Sequence, residues 1–251
     1  MTLLKDKFAV ISGAATENGI GYATARVFAE HGATVALLDL ERNDPQKKAA
    51  ALGEQHRGYV CDVTRREACQ QVAEQIIKDF GAVDILINNA GITQPIRILD
   101  IKPENYDAVL DVNLRGMLNL SQAFIPHMIS RGRGSIACTS SVSGQAGGGV
   151  FGGPHYSAAK AGMLGLAKDM AKELGPKGIR VNAVTPGMVA TDIRGDKMTQ
   201  EVMDRIVAGI PLGRIGTPAE IANVFLFLAS DLSSFVTGAT IDVNGGMYIR
   251  A

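Results

Sequence analysis

The chain has 251 residues, 46% of them hydrophobic and 20% charged, with 25 basic residues against 25 acidic. That length predicts one large domain or two small ones, the hydrophobicity excludes disorder, and zero net charge gives no field for gripping a nucleic-acid backbone. No apolar run reaches membrane-spanning length and the first seven residues are too short and polar for a signal peptide, while three cysteines (Cys61, Cys69 and Cys138) without metal spacing predict reduced thiols in a cytoplasmic protein that binds no metal.

In chain order, a β-branched run at 8–11 predicts a strand that empties into Ser12-Gly13-Ala14-Ala15-Thr16-Glu17-Asn18-Gly19-Ile20-Gly21 and then into a helix at about 19–31, stopped by Gly32. Glycines there allow close backbone approach, and the helix N-terminus offers free N–H groups and partial positive charge to a pyrophosphate. An ordinary tight turn between strand and helix is the competing reading. A second strand at 34–38 runs into Asp39, whose carboxylate can accept hydrogen bonds from both hydroxyls of an adenine ribose and would repel a 2′-phosphate. That favours NAD, although Asp39 would serve equally as a turn cap and Arg42, three residues on, leaves NADP possible. Strands at 58–61, 83–87, 135–139, 179–184 and 240–243 alternate with helical periodicity near 64–79, 103–130, 155–174 and 218–229. About seven near-continuous apolar strands between helices predict an α/β doubly wound (Rossmann) parallel sheet with helices on both faces. The expected organisation is a single dinucleotide-binding and catalytic domain over 1–251, with a small substrate-binding segment at about 188–215.

Tyr156 and Lys160 stand four apart on a predicted helix and so share a face. A free phenol ionises near pH 10, too high for ready proton exchange, and a nearby ammonium would lower that value and make Tyr156 a general acid–base. The fifth strand empties into Ser140-Ser141-Val142-Ser143-Gly144, on the sheet edge where open α/β sheets bind ligands. A serine hydroxyl there can hold a substrate oxygen where negative charge develops. Each feature alone is commonplace, as a surface pair or a turn.

Together they are not. The glycine loop, Asn88-Asn89-Ala90-Gly91, a serine after the fifth strand, Tyr156-x-x-x-Lys160 and Pro186-Gly187 appear in order, followed by Ile210-Pro211-Leu212-Gly213-Arg214 and Val243-Asn244-Gly245-Gly246. The set resembles the short-chain dehydrogenase/reductase family over essentially the whole chain. The resemblance implies that Tyr156 is the acid–base residue, that Ser141 polarises the substrate oxygen, and that Lys160 binds the nicotinamide ribose and lowers the Tyr156 pKa. It implies that Asn113 holds a water in the proton relay. The cofactor would meet Gly13, Asn18, Gly19, Ile20 and Gly21 at the phosphates, Asp39, Asp62 and Val63 at the adenosine, Asn89, Ala90 and Gly91 along the cleft, and Pro186, Gly187 and Thr191 near the nicotinamide. Two departures stand out: Gly13 and Gly19 enclose five residues where the family pattern has three, and Ser141 lies fifteen before Tyr156, so that Ser143 is an alternative catalytic serine.

The expected activity is hydride transfer between NAD(H) and a secondary alcohol or ketone, on a small polar substrate such as a polyol or sugar. The alternatives are an NADPH-dependent 3-ketoacyl-thioester reductase and, more remotely, a non-catalytic dinucleotide sensor. Gln94, Ser143, Gln145, Phe151 and His155 are candidate wall residues, His155 more as a structural histidine than a second base, and Arg97, Arg194 and Lys197 are candidate receivers of an anionic substrate. Apolar positions around much of 103–130, such as Tyr106, Leu110, Met117 and Phe124, exceed one buried stripe, which with the resemblance implies a homodimer or homotetramer.

Overall fold

A computed structural model describes residues 2–148, 152–192 and 199–250. Seven parallel strands, β1 (Phe8–Ser12), β2 (Thr34–Asp39), β3 (Arg57–Val60), β4 (Ile85–Asn88), β5 (Gly134–Thr139), β6 (Ile179–Pro186) and β7 (Thr240–Val243), form one sheet in the order β3-β2-β1-β4-β5-β6-β7. The order reverses between β1 and β4, opening a crevice at the carboxyl ends of the strands. Adjacent residues of a strand point to opposite faces, so each strand feeds two cores. Val10, Leu86, Ile136 and Val181 pack under α3 (Arg66–Phe80), α5 (Gly116–Arg131) and α7 (Pro154–Leu174), against Phe124, Met128 and Met163. Ile11, Leu37, Ile85 and Val184 pack on the other face under α1 (Ile20–Glu30) and α9 (Pro218–Ala229), against Phe28 and Phe225. The doubly wound fold expected from alternating strands and helices is the fold observed.

The differences from expectation are local. The helix predicted over 103–130 is three pieces: α4 (Pro103–Leu110), a π-helical turn over Asp111–Arg115, and α5. Asn113 sits in that turn, and its Nδ2 donates at 2.8 Å each to Val109 O, a carbonyl that regular helix would use itself, and to Ile92 O of the loop after β4. Short helices α2 (Pro45–Ala50), α6 (Ser143–Ala146) and α8 (Gln200–Ala208) carry no long apolar period and escape a sequence reading. The β3 strand begins one residue earlier than expected, at the sheet edge, where α2 packs across it so closely that a Cβ on Gly58 would come within 2.1 Å of the Pro45 carbonyl.

Candidate active site

A cleft of about 810 Å³ runs along the carboxyl edge of the sheet, from Asp39 and Asp62 at one end to Ser141, Tyr156 and Lys160 at the other. Of the residues singled out from sequence, Gly13, Gly19, Ile20, Asp39, Asp62, Val63, Asn89, Ala90, Gly91, Asn113, Pro186, Gly187 and Thr191 also line it. Asn18 and Gly21, expected at the phosphates, are not among the residues that line it. Asn18 is turned outward and bonded to Asp192, and Gly21 is buried behind the loop. A Cβ on Gly21 would stand 2.2 Å from Gly13 O and 2.6 Å from Asn89 Nδ2, so this glycine lets α1 press onto the loop.

At the phosphate end the strand–loop–helix junction leaves α1 with Gly19 as N-cap, no side-chain cap and no acidic residue in its first turn. Its N-terminal N–H groups are thus available to an anion. Gly13 has φ +62°, and a Cβ there would meet Ala90 Cα at 2.8 Å. Asn89 knits three strand ends together: its Nδ2 donates to Ser12 O and Gly13 O, and its Oδ1 accepts from Thr139 Oγ1, all at 3.0 Å. Ser12 Oγ in turn accepts from the N–H groups of Asn89 and Ala90. The Asp39 carboxylate accepts from Ala15 N and Leu40 N at 2.8 Å and from Asn43 Nδ2 at 2.7 Å, so it orders the loop as well as facing the cleft. Asp62 Oδ1 accepts from Thr64 N and Oγ1 in a local turn.

At the other end α7 starts with Gly153 as N-cap and Pro154 in its first turn, and presents Tyr156 and Lys160 to the cleft. Gly152 makes room for the ring, since a Cβ there would stand 2.4 Å from Tyr156 Cδ1. Lys160 is buried; its Nζ donates to Thr139 O at 2.7 Å and lies 5.6 Å from the Tyr156 ring centroid. Burial lowers its pKa to about 8, with Cys138 acting weakly in the opposite sense. Burial also pushes the Tyr156 phenol up, against a hydrogen bond with Ser141 that draws it down. The lowering expected from Lys160 therefore does not govern this phenol in the protein alone. Ser141 Oγ accepts from Ser143 N at 3.1 Å, and both serines line the cleft, Ser141 being the one that acts on the Tyr156 phenol. Asn113 Oδ1 is buried without a partner among the described residues, and a Cβ on Gly91 would lie 2.7 Å from it and 3.4 Å from Lys160 Nζ.

The walls near Tyr156 differ from expectation. Gln94, Gln145 and His155 do not line the cleft: His155 is buried beside Gln94, and Gln145 Nε2 donates to Asp242 Oδ1 at 2.9 Å. Instead Ile92, Val142, Met188, Ile206 and Met247 face it, with Thr93 and Ser143 as polar members. Met188 and Ile206 fall in the expected substrate segment, whereas Thr93 and Met247 carry no motif that would single them out. Arg97 is exposed, while Phe151, Arg194 and Lys197 lie outside the described residues, as do 193–198 of the expected substrate segment. Among the described residues no group of His, Cys, Asp and Glu is arranged to hold a metal ion, and no helix is long and apolar enough to cross a membrane.

The donor set fits a nicotinamide dinucleotide. An uncapped helix N-terminus faces the cleft beside glycines that admit close approach, and the orphaned Asn113 oxygen and the Lys160 ammonium stand at the far end. Comparison with known proteins points the same way. A family profile described as enoyl-(acyl carrier protein) reductase matches residues 13–248. An uncharacterized short-chain type dehydrogenase/reductase of Sinorhizobium fredii is 57% identical, over 99% of this chain and 100% of its own length. The 3-oxoacyl-[acyl-carrier-protein] reductases FabG of Thermotoga maritima and Escherichia coli are 42% and 39% identical, covering 98% and 97% of this chain and 99% and 98% of their own.

Proposed function

This chain belongs to the short-chain dehydrogenase/reductase family of NAD(P)-dependent oxidoreductases, and from that premise we propose that it interconverts a secondary alcohol and a ketone with NAD(H). The observation that supports the chemistry is a tyrosine that shares the cleft wall with Ser141, beside a buried lysine. Asp39 supports NAD(H): its carboxylate faces the adenosine end, where a 2′-phosphate would meet like charge.

The dinucleotide would be held by N–H groups of the Gly13–Gly19 loop and of Ile20, by Asp39, Asp62 and Val63, by Asn89 to Gly91, and by Lys160, Pro186, Gly187 and Thr191. When bound, its nicotinamide supplies the hydride acceptor or donor. The protein's own part is positional and electrostatic. Tyr156 Oη, as phenolate, takes the alcohol proton during oxidation and returns it to the carbonyl oxygen during reduction. Ser141 Oγ–H donates to the same oxygen and stabilises its anionic character. Lys160 holds the ribose and, as a cation, favours the phenolate, while Asn113 fixes a water that links the lysine to solvent. Expulsion of water by the apolar walls strengthens each of these interactions.

Those walls modify the expected substrate. Ile92, Val142, Met188, Ile206 and Met247 suit an apolar body next to the reacting carbon better than a polyol or sugar, and methionines adapt to its shape. That same lining, with the FabG relatives, favours a second reading, an NADPH-dependent 3-oxoacyl-thioester reductase. Assembly as a homodimer or homotetramer fits the exposed Tyr106, Leu118 and Ile129 on α4 and α5. The deciding assay follows reduced-cofactor absorbance with NAD(H) and NADP(H) in parallel, against polyols, aliphatic secondary alcohols and ketones, and a 3-oxoacyl thioester. Turnover of alcohol or ketone with NAD(H) supports the first reading; turnover of the thioester with NADPH alone replaces it with the second. Tight dinucleotide binding without turnover across the panel would favour a sensor.

A further inference from the structure

The loop after β1 is longer than the family pattern, and the surplus is anchored on both sides of the cleft. Ala15 N donates to Asp39 at 2.8 Å. Glu17 is ion-paired with Lys48 of α2, whose ammonium also lies 5.4 Å from the Tyr22 ring centroid. Asn18 reaches the opposite wall, where its N donates to Asp192 Oδ2 at 3.3 Å and its Nδ2 to Asp192 Oδ1 at 3.0 Å. Thr16, Gly19 and Asp192 line the cleft, whereas Glu17 and Asn18 do not. Residues 17 and 18 therefore lie on the outer side of the loop, and their bonds join α2 at the adenosine end to the segment that follows β6.

We propose that Glu17 and Asn18 are positioning residues that strap the phosphate loop across the dinucleotide, and that the Asn18–Asp192 contact must open for the cofactor to enter or leave. The proposal rests on the dinucleotide reading of the cleft. Its mechanical logic is that one carboxylate accepts two bonds from a single residue across 174 positions of sequence, so breaking it frees the loop from the β6 side at once. Both anchors are exposed, and charge-assisted contacts of that kind change a rate by about 2–10-fold rather than by orders of magnitude. Asn18–Asp192 should matter more than Glu17–Lys48, an exposed ion pair.

The test measures release of bound NADH, from its own fluorescence after mixing with excess NAD, or of NADPH if that is the form retained. Asn18→Asp sets two carboxylates against each other, and release should quicken about tenfold. Combining Asn18→Asp with Asp192→Asn reverses donor and acceptor, and should bring release back to within about twofold of wild type. Glu17→Gln should quicken it by about twofold. The KM for the alcohol or ketone should stay put, and recovery in the double variant is an outcome that general loosening of the fold would not give. Release unchanged in Asn18→Asp, or a double variant as fast as the single one, overturns the strap. Wild-type protein that binds neither dinucleotide overturns the cleft reading and the strap with it, a result readily told from binding with unaltered release.

Discussion

The two ends of the cleft are made of different material. At the phosphate end the groups that face a ligand are backbone N–H groups, brought close by Gly13 and by α1 seated on Gly21. At the catalytic end they are side chains on the cleft wall, where burial holds Lys160 at about 8 and raises both the Tyr156 phenol and, behind it, the Cys138 thiol, the latter to about 12. A site built from backbone geometry fails when something moves it, and then loses binding. One built from buried side chains loses chemistry when a functional atom is removed, and its fold survives. Tyr156→Phe is the sharpest use of that contrast: removal of one hydroxyl should cut kcat by about 10²–10⁴-fold. NADH affinity measured by fluorescence titration should scarcely change. Near-normal turnover would remove Tyr156 from the mechanism.

The opposite end should answer in the opposite way. Gly21→Ala adds one methyl group where the nearest atom is a backbone oxygen 2.2 Å away, so α1 and the loop must separate. Dinucleotide Kd should rise by about 10²-fold and stability fall by about 1–3 kcal/mol, with much smaller loss of kcat at saturating cofactor. If Kd holds while kcat collapses, the division between the ends is misdrawn. Asp39→Asn should have a smaller effect, lowering the preference for NAD over NADP by about tenfold as the negative charge goes and Arg42 remains at the cleft. Asp39→Ala should lose stability besides, because it orphans the donors Ala15 N and Asn43 Nδ2.

The contrast also explains what was legible beforehand. Strand and helix alternation is written in period, and a glycine loop or a Tyr-x-x-x-Lys spacing is written in order, so the sheet could be read directly and, with the family resemblance, many of the cleft-lining residues too. Asn113 shows where that reading stops: the π turn that seats it comes from its own amide bonding Val109 O and Ile92 O, a tertiary event with no period. Gln145 and His155 looked like substrate contacts from their neighbourhood in sequence, but Asp242 and the Gln94 side draw them away. The apolar wall takes Met188 and Ile206 from the expected substrate segment, but Ile92 and Met247 join it from distant parts of the chain, and nothing in their sequence setting announces that. The resemblance places Asn18 at the phosphates, and no sequence signal announces the bond of its side chain to Asp192.

The smallest predicted effect concerns stability and tests whether the catalytic end is held against a folding cost. With its pKa near 8 instead of 10.5, Lys160 binds protons less readily in the folded protein than in the unfolded chain. Below pH 8 it is charged in both states and the burial cost is present in full; above 10.5 it is neutral in both and the cost is gone. The shift corresponds to a cost on the order of 3 kcal/mol at pH 7, from which the bond to Thr139 O must be offset. Lys160→Met should therefore stabilise the protein by about 1–2 kcal/mol at pH 7 in urea unfolding, while abolishing most turnover. Its advantage over wild type should shrink between pH 8 and 10.5, because wild-type stability rises with pH across that window whereas the variant has no such proton to lose. A variant less stable than wild type at pH 7 would mean that the Thr139 bond outweighs burial of the charge, and that the lysine anchors the fold rather than burdening it.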